Sequence, residues 1–527
     1  MVPHRGPRRR GSRPGGRRPA VGGPRGGGSG AAGRLTAVAA TWGRIVPVTA
    51  RTDLSTITPP IALGALDGRY RSAVAPLVDH LSEAALNRAR LQVEVEWLIH
   101  LCDTGSLPGA PTLTDAERAY LRGVVDSFGA DDIAEHAAIE AETRHDVKAV
   151  EYLLKRRLDA AADALGPDTS LPGAHEIVHI FCTSEDVNNL SYALTVRAAV
   201  VDVWLPAATA VTDQLAELAL AHAEVPMLAR THGQTATPVT LGKELAVTVA
   251  RLRRQLDRVA STEYRGKING ATGTYGAHSV AVPGTDWPAV AERFVTGLGL
   301  SFNPLTTQIE AHDWQAELYS DVARFNRILH NLATDVWTYI SLGYFTQRLS
   351  AQGSTGSSTM PHKVNPIRFE NAEANLEISC ALLDTLASTL VTSRLQRDLT
   401  DSTTQRNIGT AFGHSLLAID NVSRGLAGLD VDAEAMARDL DDAWEVLGEA
   451  VQQAMRAASV AGARGMEDPY ERLKELTRGR KVDGPAMREF IGSLGLPADV
   501  EERLIALTPA TYTGLSAQLA RTVEAEG

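Results

Sequence analysis

The stretch from 313 to 350 constrains the fold of this chain more than any other. Leu318, Val322, Phe325, Leu329, Leu332, Val336 and Ile340 follow one another at spacings of 4, 3, 4, 3, 4 and 4. That is one apolar stripe on an α-helix. Carried to residue 350 it predicts a helix of about 38 residues, near 57 Å at ~1.5 Å per residue. Other long patterns accompany it. One runs from Thr183 to about Glu224, with Pro206 expected to kink it. A second follows Thr237-Pro238, read as a cap and a first-turn proline. A third runs from Pro366 to about Ser393. Thr114 to Glu117, "TDAE", reads as a capping box that opens a further helix. Helices this long most simply lie side by side as a bundle. Their stripes are long enough to serve a second bundle too, so oligomerisation is expected. The expected fold class is all-α with three helical domains: an N-terminal one over 55–182, a central long-helix bundle over 183–425, and a C-terminal one over 426–527.

Charge divides the chain differently. The formal net charge is −11, yet residues 1–34 hold nine Arg and eleven Gly with no Asp or Glu. Taking that +9 from −11 leaves −20 for the remainder, an acidic body unsuited to broad nucleic-acid binding. The Arg/Gly-rich extension, taken as 1–54, has too little apolar surface to bury a core and is expected to be disordered. No window of about 18 residues is uninterruptedly apolar, so no membrane span is expected. Three cysteines, Cys102, Cys182 and Cys380, are few, odd in number and far apart. That suits a reducing, cytoplasmic compartment better than a disulfide framework.

Several segments carry residues with chemistry. "HEIVH" (His175 to His179) fits a zinc pattern, but no third ligand presents itself, so no metal is expected. "GATGTYG" (270–276) lacks a strand signal before it and reads as a tight loop, not a dinucleotide site. "TRHDVKAVEY" puts His145 and Asp146 at a helix start. "TSEDVNNLSY" puts Thr183 and Ser184 at the mouth of a long helix, where free N–H groups favour an anion. "ARTHGQTATP" puts His232 in a loop before a helix. "RDLTDSTTQRN" offers Arg397, Ser402 and Arg406 as a phosphate clamp. Taken singly, each is most simply a cap or a solvated face; together they share a placement at the ends of long helices. Between two helical patterns lies "GSTGSSTMPHKVNP" (353–366), whose glycines, hydroxyls and prolines cannot continue a helix.

That last segment, with Gly356-Ser357-Ser358-Thr359-Met360-Pro361-His362-Lys363-Val364-Asn365-Pro366, resembles the signature of the fumarase/aspartase superfamily. Within it, "MPHKVNPIRFENAEAN", "TSEDVNNLSYAL", "THGQTATPVTLGKELA", "KINGATGTYGAH" and "RDLTDSTTQRN" are similar to the adenylosuccinate lyases of the longer bacterial type, from "LDGRY" (66–70) to the C-terminus. The resemblance implies a C–N elimination that releases fumarate from a succinylated nucleotide, with no metal or redox cofactor. It implies Ser357 as base and His232 as acid, with Lys363 and Asn365 holding succinyl carboxylate charge and Thr183, Ser184, Gln308 and Ser358 nearby. Arg69, Tyr70, Arg397, Ser402 and Arg406 would hold the phosphate-ribose end. His145 and Asp146 would line the site, His145 supporting phosphate charge or proton transfer, and Asn371 would be a further nucleotide contact. Arg144 stands beside them where an uncharged residue is usual. The implied assembly is a homotetramer with a core of 20 helices and active sites shared between subunits. Sister activities (argininosuccinate lyase, fumarase, aspartase) and a non-catalytic crystallin-like protein are the alternatives.

Overall fold

The computed structural model describes residues 63–348, 360, 363–477 and 482–524. The expected extension over 1–54, and Ser357 and Ser358, lie outside the described residues. The elements that position the site are α1 (Glu83–Thr104), α2 (Asp146–Asp159), α3 (Ser184–Ala198), α4 (Leu205–Ala221), a hairpin of β1 (Pro226–Thr231) and β2 (Gln234–Thr240), α5 (Leu241–Ala260), α6 (Asp313–Ser341), β3 (Phe345–Gln347), α7 (Ile367–Leu390), α8 (Thr400–Gln405), α9 (Ile408–Ala427) and β4 (Leu429–Val431). Strands among the described residues form three two-stranded pairs, so the fold is all-α.

Five helices close a bundle. α4 packs on α5, α5 on α6, α6 on α7, α7 on α9, and α9 returns to α4. The stripe read from the sequence is its core. Leu318, Val322, Phe325, Leu329, Leu332 and Val336 are all buried. Pairs along the helices fix their directions. Arg258 with Asp321 and Arg251 with Asn331 set α5 antiparallel to α6. Arg327 with Asp384 and Thr334 with Glu373 set α7 antiparallel to α6. Arg368 with Asn421 and His414 with Asn375 set α9 antiparallel to α7. Trp204 with Ser415 and Gln214 with Ser423 set α4 parallel to α9. The bundle therefore has two ends, one at residue 313 and one at residue 341, separated by the 29 residues of α6, or about 43 Å. A separate apolar cluster, with Val451, Met455, Met487 and Ile491, forms beyond the bundle.

Three expectations need correction. The 313 helix stops at Ser341, because Gly343 takes a left-handed φ of 75° and Tyr344 and Phe345 turn into β3, paired antiparallel with β4. Thr237-Pro238 opens no helix. Both residues lie in β2, Pro238 opposite Leu228, and the cap of α5 is Thr240, whose hydroxyl accepts from the Lys243 N–H. Pro206 does not simply kink a helix. A π-helical turn over Ala199–Trp204 precedes it, widening the ladder where the ring removes an N–H and crowds the preceding turn. The run Ser184–Ala221 is long and apolar enough on average to cross a membrane, although Arg197 and Asp202 interrupt it. Here Val211, Leu215 and Ala219 are buried in the bundle, and an interior helix satisfies the same compositional test.

Candidate active site

The 313 end collects most of the expected substrate contacts. Thr183 caps α3, and its N–H donates to Asp186 Oδ2 at 2.8 Å. Asp186 is fully buried. Its Oδ1 accepts from Lys267 Nζ at 2.8 Å and from the Asn269 N–H at 2.9 Å, and its Oδ2 accepts from the Gly270 N–H at 3.1 Å. One carboxylate thus ties the 183–184 corner to the 269–273 loop. Gln308 joins the same loop by donating to the Ala271 carbonyl at 2.8 Å. Gly273, at φ 73°, must be glycine, because a Cβ there would lie 2.3 Å from the Thr306 carbonyl oxygen.

The clamp arginines flank α8. Arg397 Nη2 reaches Glu185 Oε1 at 2.8 Å, and Arg406 reaches Glu83 at 2.8 Å and Asp146 at 3.2 Å. Ser402 donates its N–H to Asp401. His145 caps α2, accepting the Lys148 N–H on Nδ1 at 3.2 Å, and keeps an exposed side chain. Arg144 sits just before it at φ 54°, also exposed. Burial pushes the Asp146 carboxyl up, but Arg90, the Val147 N–H and Arg406 outweigh it and hold the group below its ordinary range. Asp146 is thus an anion under the clamp.

The 341 end collects the rest. β1 and β2 are joined by His232 and Gly233, at φ 54° and 73°. Two consecutive left-handed residues make a tight hairpin turn, so His232 stands exposed at the tip of a hairpin and not in an irregular loop. Arg230 behind it binds the Tyr344 hydroxyl at 2.9 Å and Asp439 at 2.6 Å. Lys363 and Asn365 lie just before α7, with Lys363 exposed and its N–H donating to the Met360 carbonyl at 3.0 Å. Tyr70 and Asn371 meet part way along the bundle, Asn371 Nδ2 donating to Tyr70 Oη at 3.2 Å, with the Arg69 guanidinium 5.9 Å from the Tyr70 ring centroid.

The zinc pattern dissolves in the structure. His175 meets Asp159 and His179 meets Glu94, each a separate carboxylate on a separate helix. No group of three His, Cys, Asp or Glu suited to a metal exists among the described residues. The sequence reading missed the buried polar and charged groups that organise the 313 end: Arg90, Asn188, Glu185, Asp186 and Lys267, as well as His312, whose Nε2 lies 3.0 Å from Gln405 Nε2. The available signal was charge inside an apolar pattern, with Arg90 and Glu94 on one face of "RARLQVEVEW".

His278 closes the glycine loop. It is buried, stacked on Phe181 at 4.7 Å between centroids and edge-on to Trp287 at 4.9 Å. Burial pushes its pKa down to about 4, against an opposing pull from Asp186. The folded chain therefore refuses a proton that the unfolded chain takes up near pH 6.5. This contribution to stability is full above that pH and is lost as pH falls towards 4. It is worth at most about 3 kcal/mol. His278→Phe should flatten the fall in urea midpoint between pH 6.5 and 4; an equally steep fall would acquit His278.

Comparison with known proteins agrees with this architecture. Residues 68–378 match the Lyase family and residues 393–513 the adenylosuccinate lyase C-terminal family. Adenylosuccinate lyase of Escherichia coli K12 is 46% identical over 88% of this chain and 98% of its own length. That of Haemophilus influenzae is 46% identical over 89% and 99%, and that of Vibrio cholerae 45% over 89% and 99%. Among solved structures, a fumarate lyase from Mesorhizobium sp. BNC1 superposes with a TM-score of 0.67 at 20% identity, over 85% of this chain and 97% of that one. A 3-carboxy-cis,cis-muconate lactonizing enzyme from Pseudomonas putida gives 0.64 at 23%, over 85% and 96%; both likenesses concern the fold. With its bundle matched by the lyase fold and nearly its whole length aligned at this identity, the chain belongs to the adenylosuccinate lyase family.

Proposed function

We propose that this protein cleaves adenylosuccinate to AMP and fumarate, and the succinylated carboxamide ribotide SAICAR to AICAR and fumarate, in purine nucleotide synthesis in the cytoplasm. The observation that carries the reading is the 46% identity over 88% of the chain. In support, the adenylosuccinate lyase C-terminal match, 393–513, contains Arg397, Ser402 and Arg406. Ser357 removes the β-proton from the carbon next to a succinyl carboxylate, and His232 protonates the departing nitrogen. Lys363 and Asn365 hold the carboxylate on which negative charge develops, where a placed cation is worth most. Arg397, Ser402 and Arg406 take the phosphate, with His145 and Asp146 beside them. Arg69, Tyr70 and Asn371 serve the nucleoside, and Thr183, Ser184, Gln308 and Ser358 the succinyl part. The elimination needs no metal or redox cofactor. An assay with adenylosuccinate, argininosuccinate, malate and aspartate tests the reading. Turnover of any other substrate in preference to adenylosuccinate would overturn it, and absence of any elimination would point to a structural protein.

Geometry supports a shared site. His232 and Lys363 stand at the 341 end, Thr183, Arg397 and Arg406 at the 313 end, about 43 Å of helix away. A substrate that touches both sets needs ends from different chains, which a homotetramer of antiparallel bundles supplies, five helices from each of four chains. In such an assembly the division at 182/183 and 425/426 gives the central domain most of the site residues and leaves Arg69, Tyr70, His145 and Asp146 to the N-terminal domain. His232→Ala and Ser357→Ala should rescue each other if those residues come from different chains. A site in randomly mixed tetramers draws each intact residue with chance one half, so about a quarter of the activity returns. Activity at the parental level, in mixed tetramers verified by native mass spectrometry, would place both residues on one chain.

A further inference from the structure

Arg90 is the buried centre of the 313 end. It is 3% exposed, and its three nitrogens go to three partners. Nε donates to Asn188 Oδ1 at 2.9 Å, Nη1 to Asn87 Oδ1 at 2.7 Å, and Nη2 meets Asp146 Oδ2 at 3.0 Å. Each partner leads onward. Asn188 donates to Glu185 Oε1 at 2.7 Å, the same oxygen that receives Arg397 at 2.8 Å. Asp146 Oδ2 receives Arg406 at 3.2 Å. One continuous chain of contacts therefore runs Arg397, Glu185, Asn188, Arg90, Asp146, Arg406. It crosses from α3 through α1 to α2, so the two arginines beside α8 are referenced to the same buried guanidinium.

We propose that Arg90, with Asn188, is a positioning residue that sets the separation and orientation of Arg397 and Arg406 for a phosphate monoester, without touching the substrate itself. The inference rests on the reading of Arg397 and Arg406 as the phosphate clamp. A planar guanidinium with fixed donor directions can hold the Asp146 carboxylate and the Asn188 amide oxygen at a set angle; an ammonium on a flexible stem cannot. Glu185 and Asp146 each spend one oxygen on this chain, and their remaining geometry steers the clamp arginines. Loss of Arg90 frees Asp146 to follow Arg406 and frees Asn188 and Glu185 to follow Arg397. The phosphate end then loosens while the succinyl end, pinned through Asp186 and Lys267, does not.

Arg90→Lys, Arg90→Met and Asn188→Leu test this against Arg397→Met and Arg406→Met, using the intact oligomer, with AMP and fumarate as separate inhibitors. The expected result is an AMP inhibition constant and a KM for adenylosuccinate raised roughly tenfold or more in Arg90→Met and Asn188→Leu. The fumarate inhibition constant should stay within about twofold, and kcat should fall less than KM rises. Arg90→Lys should resemble Arg90→Met, because charge without the fork does not restore the angle. A purely structural role would lower Tm and the active fraction and leave both inhibition constants unchanged, which overturns the proposal. If Arg90→Met fails to assemble, Arg90→Lys and Asn188→Leu decide by the same AMP-to-fumarate comparison. If Arg397→Met and Arg406→Met leave AMP inhibition unchanged, the clamp reading falls. If they weaken it while the Arg90 and Asn188 variants do not, the clamp stands and this inference alone falls.

Discussion

His232→Ala should lower turnover of adenylosuccinate by roughly 10²–10⁴-fold, the usual worth of a positioned proton donor, and leave Tm nearly unchanged. Its side chain is exposed at the hairpin tip, so its removal opens no cavity. The turn itself is safe, because alanine tolerates the left-handed position only a little less well than histidine does. The hairpin is also held from behind. Arg230 bridges the Tyr344 hydroxyl and Asp439, and the Tyr344 hydroxyl donates to Asp439 at 2.7 Å. A less basic nitrogen departs more readily without a proton, so the deficit should shrink for substrates that carry one. Near-normal turnover of His232→Ala would remove this residue from the acid's role, whatever the oligomeric state.

Lys267→Met should destabilise the protein by about 3–5 kcal/mol, the cost of leaving one partner of a buried ion pair uncompensated. Both side chains of the Asp186–Lys267 pair are inaccessible to solvent. With the ammonium gone, Asp186 keeps three backbone N–H donors, from Thr183, Asn269 and Gly270, but no countercharge. Replacing both members, Asp186→Leu with Lys267→Met, removes the charge problem yet strands those three N–H groups, so it should not restore stability. Activity should fall further than stability explains, because Asp186 fixes the corner that carries Thr183 and Ser184 against the loop that holds Gln308. Urea denaturation of the oligomer measures the first effect. A loss below about 1 kcal/mol would show that water or rearrangement compensates Asp186.

Much of this was legible along the chain. The stripe from Leu318 to Val336 is a repeat of 3 and 4 residues, a property of local sequence, and it forms the bundle core as read. The capping box of Thr114 and Glu117 closes as read, its two reciprocal bonds at 3.2 and 2.8 Å, because a cap needs only residues three apart. The motif segments were legible for the same reason. His145, Thr183 and Ser184 lie at the starts of helices, and helix ends are set by nearby glycines, prolines and hydroxyls; His232 is the exception, at a hairpin tip.

What needed the tertiary structure was every choice made by a distant partner. β1 and β2 were invisible as strands because their pairing, Pro226 opposite Thr240 across the His232-Gly233 turn, competes with a helix pattern read from Pro238 onward. The 313 helix ends nine residues early because β4, some 80 residues on, takes up Phe345–Gln347. Arg90 acquires its role only because Asn188 and Asp146 are brought to it from other helices. The sequence by itself determined the helices, their apolar faces and the residue types gathered at their ends, since these are local. Only the packing decided that α6 and α7 run antiparallel, and with that, that His232 and Lys363 lie at one end of the bundle and the clamp arginines at the other. That arrangement is fixed by which faces bury one another across the core, and no spacing along a single helix encodes it.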